Sequence, residues 1–189
     1  MTQERHDWAE SLDGLLEQAW KRLGRGVADR RAAARHPTLA TVDANGWPQV
    51  RTVVLRGADR AASQLRVYTD RKAGKVAELA AAPRASLHVW DQTAHLQIRV
   101  MAEAVIHTGT AVESIWSGLS AHAQRCYGFQ PASGLAITDA LDYAVWPQPE
   151  DFAVIELTVV YLEALHLGHR HRRAGFDRRR NWAGQWLVP

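Results

Sequence analysis

The sequence predicts a mainly β protein with flanking helices, its strands running antiparallel. Three observations carry this reading. Short runs rich in Val, Ile, Thr and Tyr recur between Thr38 and Gly168, and the first two are joined at Asn45-Gly46. Helical periodicity is confined to the start of the chain and two inserts, so strands and helices do not alternate as a βαβ fold requires. With 189 residues, 47% hydrophobic and 23% charged, the chain has material for one substantial core without disulfides or metals. An antiparallel barrel or sandwich fits best.

The elements follow in order. "DWAESLDGLLEQAWKRL", residues 7–23, places Trp8, Leu12, Leu15, Leu16, Ala19, Trp20 and Leu23 on one stripe, an amphipathic helix expected to end at Gly24 and Gly26. "HPTLATVDANGWPQVRTVVLRG" reads as two strands in a hairpin. "QLRVYTD" is a third strand, and "RKAGKVAELAAAP" a short helix closed by Pro83, with Val76 and Leu79 facing inward. "ASLHVWD" and "HLQIRVMAEAVIHTG" are two strands meeting across "DQTA". "AVESIWSGLSAHAQR" reads as a second amphipathic helix, and "DFAVIELTVVYLEALHLG" as at least one last strand. The division expected is a single domain, 1–189: an N-terminal helix over 1–26, a barrel with inserted helices over 36–165, and a basic C-terminal segment over 166–189.

Composition narrows the setting. Cys126 is the single cysteine, so no intramolecular disulfide forms and a reducing compartment is expected. The start, "MTQERHDWAESLD", lacks the apolar run of a signal peptide, and no stretch approaches the ~18 apolar residues of a membrane span. A cytoplasmic protein is the expectation. The net charge is only +3, but Arg dominates over Lys, and its two-pronged geometry suits phosphate and carboxylate. An Arg-rich, Ala-rich chain is also what a GC-rich genome writes.

Candidate chemistry begins in "PQVRTVVLRG". Read as one strand, it carries Arg51 on the face of Val53 and Leu55, and Arg56 on the face of Val50, Thr52 and Val54, with no acidic residue beside either. Such arginines need an anion, water or a partner. Arg71, Lys72 and Lys75 crowd the start of the next helix, where the dipole already disfavours cations unless an anion binds among them. The alternative is that Asp70 caps the helix and the long side chains simply reach water. His166, His169 and His171 have no Cys or carboxylate at ligand spacing, which makes them solvated histidines rather than a metal site. Cys126, beside Arg125, is more simply inert packing than a reactive thiol. There is no dinucleotide fingerprint, no P-loop and no nucleophile elbow.

The order "RTVVLR", "VYTD", "GKVAEL" with "PRASL", then "LQIRV" resembles the pyridoxamine 5'-phosphate oxidase-like family, the FMN-binding split barrel, over residues 36–110. The resemblance implies an antiparallel split β-barrel, FMN, and a homodimer with the flavin at its interface. By position it assigns the flavin to Arg51, Thr52, Val53, Val54, Leu55 and Arg56, with Arg51 toward the phosphate and Arg56 toward ring or substrate. It also assigns Tyr68 and Thr69, the phosphate-binding Lys75, and Gln97. Among the tail arginines, Arg173 is its candidate for the substrate.

Departures accompany the match. Gly74 stands where the oxidase has an arginine. Trp116, Ser120 and Gln124 stand about where it has a Tyr, Arg and Ser set for pyridoxal phosphate. The expectation is an FMN-dependent oxidoreductase acting on a small molecule other than pyridoxamine 5'-phosphate. A flavin-binding carrier or sensor shares the same fold and site, and a deazaflavin occupies some related barrels. Nucleic-acid binding by a basic barrel fits less well, because the aromatics do not interleave with basic residues on any strand face.

Overall fold

The computed structural model describes residues 6–189. A 3-10 turn over Asp7–Glu10 leads into helix α1, Leu12–Ala28, whose N-cap Ser11 accepts a hydrogen bond from the Gly14 amide at 3.0 Å. The helix does not stop at Gly24 or Gly26. Gly26 is a packing residue: a Cβ there would lie 2.5 Å from the Ala34 carbonyl group, so glycine lets the Ala33–Arg35 turn press against the helix. Leu15, Ala19 and Leu23 are buried by this helix in the main core.

Strands β1 (Thr38–Val42) and β2 (Pro48–Thr52) form the expected hairpin. Gly46 takes a positive φ of 84°, and the Asp43 carboxylate accepts from the Asn45 and Trp47 amides at 2.9 Å. The following strand is not continuous with β2. β2 ends at Thr52, the Val53 amide turns to the Pro37 carbonyl at 3.0 Å, and β3 (Leu55–Asp59) pairs instead with β4 (Gln64–Asp70). Arg56 falls in a bulge, since Leu55 faces Val67 while Gly57 faces Arg66. The alternation expected through "RTVVLR" is therefore broken between its two arginines.

Helix α2 (Gly74–Ala81) precedes β5 (Arg84–Asp91) and β6 (Leu96–Thr108). Asp70 is not its cap. The Asp70 carboxylate accepts from the Lys72 and Gly128 amides, both at 2.7 Å, so it ties the strand end to a distant loop. Arg71 and Lys72 precede the helix, and only Lys75 lies in its first turn. The expected second amphipathic helix is broken into α3 (Glu113–Ser117) and α4 (Ala121–Gln124), because Ser120 caps a new start by accepting from the Ala123 amide. Two short strands, β7 (Phe129–Gln130) and β8 (Ala144–Val145), pair with each other.

Strand β9, Phe152–His166, organises the barrel. One edge pairs with β6 along its whole length, from Thr108↔Ala153 to Leu96↔His166. The other edge is divided: residues 152–158 pair with β4, and residues 161–166 with β10, Arg172–Asp177. That division splits the barrel. All ladders are antiparallel. The segment from 166 onward, read from sequence as a basic tail, extends the sheet by β10 and β11 (Ala183–Leu187). A second apolar cluster of Val112, Trp116, Tyr127, Phe152 and Val154 forms beneath α3.

Candidate functional site

The site grows from the hairpin register. Arg51 lies opposite Leu39, on the face of β1 that carries Leu39 and Thr41, both buried. That face points at α2. The Arg51 guanidinium donates from Nη2 to Glu78 Oε2 at 2.9 Å and from Nη1 to the Thr41 hydroxyl, which itself donates to Glu78. One turn earlier on α2, Lys75 Nζ donates to the hydroxyl of buried Thr69 at 3.0 Å. Burial first, and then the nearby Arg51, hold the Lys75 ammonium below the usual lysine range, with Glu78 and Asp70 pulling the other way.

Two cations and a hydroxyl are thus gathered around one carboxylate. Such a donor set fits a phosphate, whose charge relieves the repulsion between Arg51 and Lys75 and whose oxygens take their remaining donors. The sequence reading left Arg51 without an acidic partner, and the structure corrects this: Glu78, three residues after Lys75, supplies one.

The other expected residues divide into groups. Val53 and Leu55 are core residues, Val54 is half-buried between the strands, and Thr52 ends β2 on its exposed face. The Arg56 guanidinium lies over the Tyr68 ring, 5.7 Å from its centroid, with Tyr68 edge-on to Phe152. Tyr127, which the sequence reading passed over, stands beside this pair. Burial pushes its phenol up to about 12, opposed by the Arg56 charge. Arg51, Thr69 and Lys75 form one cluster; Arg56 and Tyr68 form another.

Gln97 and Arg173 belong to a third place. On β6, Gln97, Arg99 and Met101 face away from the buried Ile98 and Val100. Gln97 lies opposite Leu165, and Leu165 opposite Arg173, so both polar residues occupy one row on the outer face of the sheet. Gln97 Oε1 is 3.3 Å from His88 Nε2. Arg173 Nη2 donates to Glu163 Oε2 at 3.0 Å, and Arg99 pairs with the other oxygen of that buried carboxylate at 3.4 Å. A single chain therefore presents separate partial sites.

Comparison with known proteins settles the family. The profile described as pyridoxamine 5'-phosphate oxidase, FMN-binding domain, matches residues 7–108, more than half the chain. The chain belongs to this family. Its cofactor is FMN, in keeping with the phosphate-ready cluster of Arg51, Thr69 and Lys75. Among curated relatives, the pyridoxine/pyridoxamine 5'-phosphate oxidase of Alkalilimnicola ehrlichii is 38% identical over 118 residues, 58% of each chain. That of Bordetella pertussis is 40% identical over 91 residues, 46% of this chain and 41% of the relative. The match thus spans about half the length of these oxidases.

Among solved structures, a pyridoxamine 5'-phosphate oxidase-related, FMN-binding protein from Nostoc punctiforme PCC 73102 superposes with a TM-score of 0.74 at 24% identity, covering 98% of this chain and 100% of that one. PhzG from Burkholderia lata 383, solved with tetrahydrophenazine-1-carboxylic acid, gives 0.76 at 19% identity, covering 100% and 99%. At these identities the likeness is one of fold. It extends to the C-terminal strands, which the family profile does not reach.

Proposed function

We propose that this family member is an FMN-dependent oxidoreductase, working as a homodimer on a small molecule other than pyridoxamine 5'-phosphate. The observation that carries the reading is the grouping of two cations beside one carboxylate: Arg51 pairs with Glu78, and Lys75, within electrostatic reach of both, donates to the Thr69 hydroxyl. In this reading those three residues hold the flavin phosphate, and Arg56, set by its bulge over Tyr68, faces the ring or an anionic substrate. Bound FMN supplies hydride acceptance and donation. Gln97 and Arg173, on the outer face, reach the flavin and the substrate held by a second copy, which makes the dimer part of the site.

The residues at the substrate-phosphate positions support a different substrate. Trp116 is buried against Phe152 and Tyr127, Ser120 caps α4, and Gln124 donates its amide to the Trp116 carbonyl at 3.2 Å. All three serve local packing, and none carries a charge for a phosphate. The curated relatives bear the name of the vitamin B6 oxidase, and PhzG was solved with an aromatic carboxylic acid. A small ring-bearing substrate is consistent with both. A reducing, cytoplasmic setting suits the exposed Cys126.

The test is stopped-flow spectroscopy of the FMN-loaded protein. Reduction by NADH or NADPH, or by a substrate from a panel of reduced ring compounds, followed by reoxidation in air, supports the enzyme. Flavin that is bound but inert to every donor identifies a carrier or sensor instead. Hydrogen peroxide release with pyridoxamine 5'-phosphate at the rate of a dedicated oxidase would overturn the substrate assignment.

A further inference from the structure

A second concavity, of about 520 Å³, lies between α1, the turn after it and the β5–β6 turn. It contains none of the residues assigned to the flavin. We infer that this pocket binds a small organic oxyanion, a phosphate or carboxylate carried on a flat apolar body. Its charged lining is Arg22, Arg25, Arg31 and His6 against Asp91, and its apolar wall includes Trp90.

The arginines converge from two segments of the chain, where a solvated face would let them diverge. Arg22, on α1, lies with its guanidinium over Trp8 at 5.4 Å and its Nε 3.1 Å from Asp91 Oδ2. Burial lowers its affinity for a proton, the neighbouring Arg25 adds to this, and Asp91 opposes. Arg25 pairs with Asp29 at 2.9 Å. Arg31 makes no side-chain hydrogen bond or ion pair with any described residue.

Both carboxylates are committed elsewhere as well. Asp91 Oδ1 accepts from the Ala94 amide, and Asp29 Oδ1 from the Arg31 amide. Arg22 and Arg25 therefore each hold one carboxylate that is partly spent on backbone, and the Arg31 guanidinium holds none among the described residues. The remaining polar atom points the same way. His6 Nε2 is buried without a hydrogen-bond partner among the described residues, and His6 is stacked on Trp8 and edge-on to His166, so its ring is held in place at the pocket wall.

Size and shape select the rest of the ligand. The volume falls in the range of small-molecule sites, and Trp90, 41% exposed, offers a ring face against the small side chains Ala32–Ala34 and Ala94. Trp90 is also the cross-strand partner of Gln97, so the pocket meets the outer-face row at Trp90 and contains neither Gln97 nor Arg173.

The experiment is calorimetric titration of phenyl phosphate and benzoate, with inorganic phosphate as the probe lacking a ring, into FMN-saturated protein. FMN saturation removes the phosphate cluster of Arg51 from competition. Arg31→Glu and Arg25→Glu, both at exposed positions, should each weaken phenyl phosphate at least tenfold while FMN content and far-ultraviolet circular dichroism stay unchanged. Trp90→Ala should weaken phenyl phosphate more than inorganic phosphate. Arg173→Ala should leave the Arg31-dependent binding unaltered. No binding of any probe, or binding that Arg173→Ala abolishes and Arg31→Glu leaves intact, would overturn the proposal.

Discussion

Glu78 Oε2 lies 2.9 Å from Arg51 Nη2, so the carboxylate sits where an incoming phosphate would seek its charge partner. It holds Arg51 in place and also repels a dianion. Glu78→Gln keeps an oxygen to receive the guanidinium but removes the negative charge. The variant should bind FMN about fivefold more tightly, since relieving one partly screened like-charge contact is worth about 1 kcal/mol. Riboflavin affinity should not change. Titration of both flavins by fluorescence quenching reads the difference, and tighter riboflavin binding would show that Glu78 acts on the ring or the fold.

Arg51→Ala should raise the FMN dissociation constant roughly ten- to a hundredfold, the loss of a charge-assisted bond of about 1.5–3 kcal/mol. Because Glu78 is only 14% exposed, losing its cation should also lower stability by roughly 1–3 kcal/mol, visible as an earlier urea midpoint. Lys75→Met should weaken FMN in the same direction, and the double variant should be less than additive because both groups grip one phosphate. An additive double variant would place the two cations on different parts of the ligand.

Much of this was legible in the sequence, for local reasons. Asn45-Gly46 announced the hairpin, β-branched runs announced the strands, and the order of motifs from Arg51 through Lys75 to Gln97 announced the family. What escaped depended on register and distance in the chain. Thr41 meets Arg51 only because Leu39 is paired opposite it, and Asp70 is claimed by Gly128, 58 residues away, instead of by its own helix. The break between Thr52 and Leu55 has no Gly or Pro to mark it; tertiary pairing of β3 with β4 imposes it on a sequence of good strand formers. The basic character of residues 169–180 masked β10, whose Ala174 and Phe176 alternate inward between polar neighbours.

His166 supplies a pH dependence. It is 2% exposed, neither ring nitrogen has a partner among the described residues, and burial, helped by His6, Arg172 and His95 and opposed by Glu10, lowers its pKa from 6.5 to about 4. Between those values the unfolded chain binds the proton that the folded chain refuses. Stability from this group is therefore full above pH 6.5 and is lost as the pH falls toward 4, by about 2–3 kcal/mol in all. Urea denaturation at pH 7.5 and pH 5 should show a smaller loss for His166→Phe than for the unaltered protein. Equal losses would remove His166 from the account.

The last prediction concerns the outer face of the sheet. Val50 is 68% exposed, Met101 49% and Val105 51%, and an apolar groove of about 400 Å³ runs between β1, β5 and β6 beside them. Large apolar side chains clustered on a sheet face mark a surface that another protein covers, and the residues of this face proposed for the flavin and the substrate, Gln97 and Arg173, lie apart from the Arg51 cluster in the same chain. Both facts are met if a second copy docks here and completes the flavin site. Light scattering should then report about twice the 21.1 kDa chain mass. Met101→Asp, which places a charge in the middle of the covered surface without touching the core, should shift the protein toward monomer and weaken FMN at least tenfold, although every phosphate ligand remains. A Met101→Asp monomer that binds FMN as tightly as the unaltered protein would show that one chain holds the whole site.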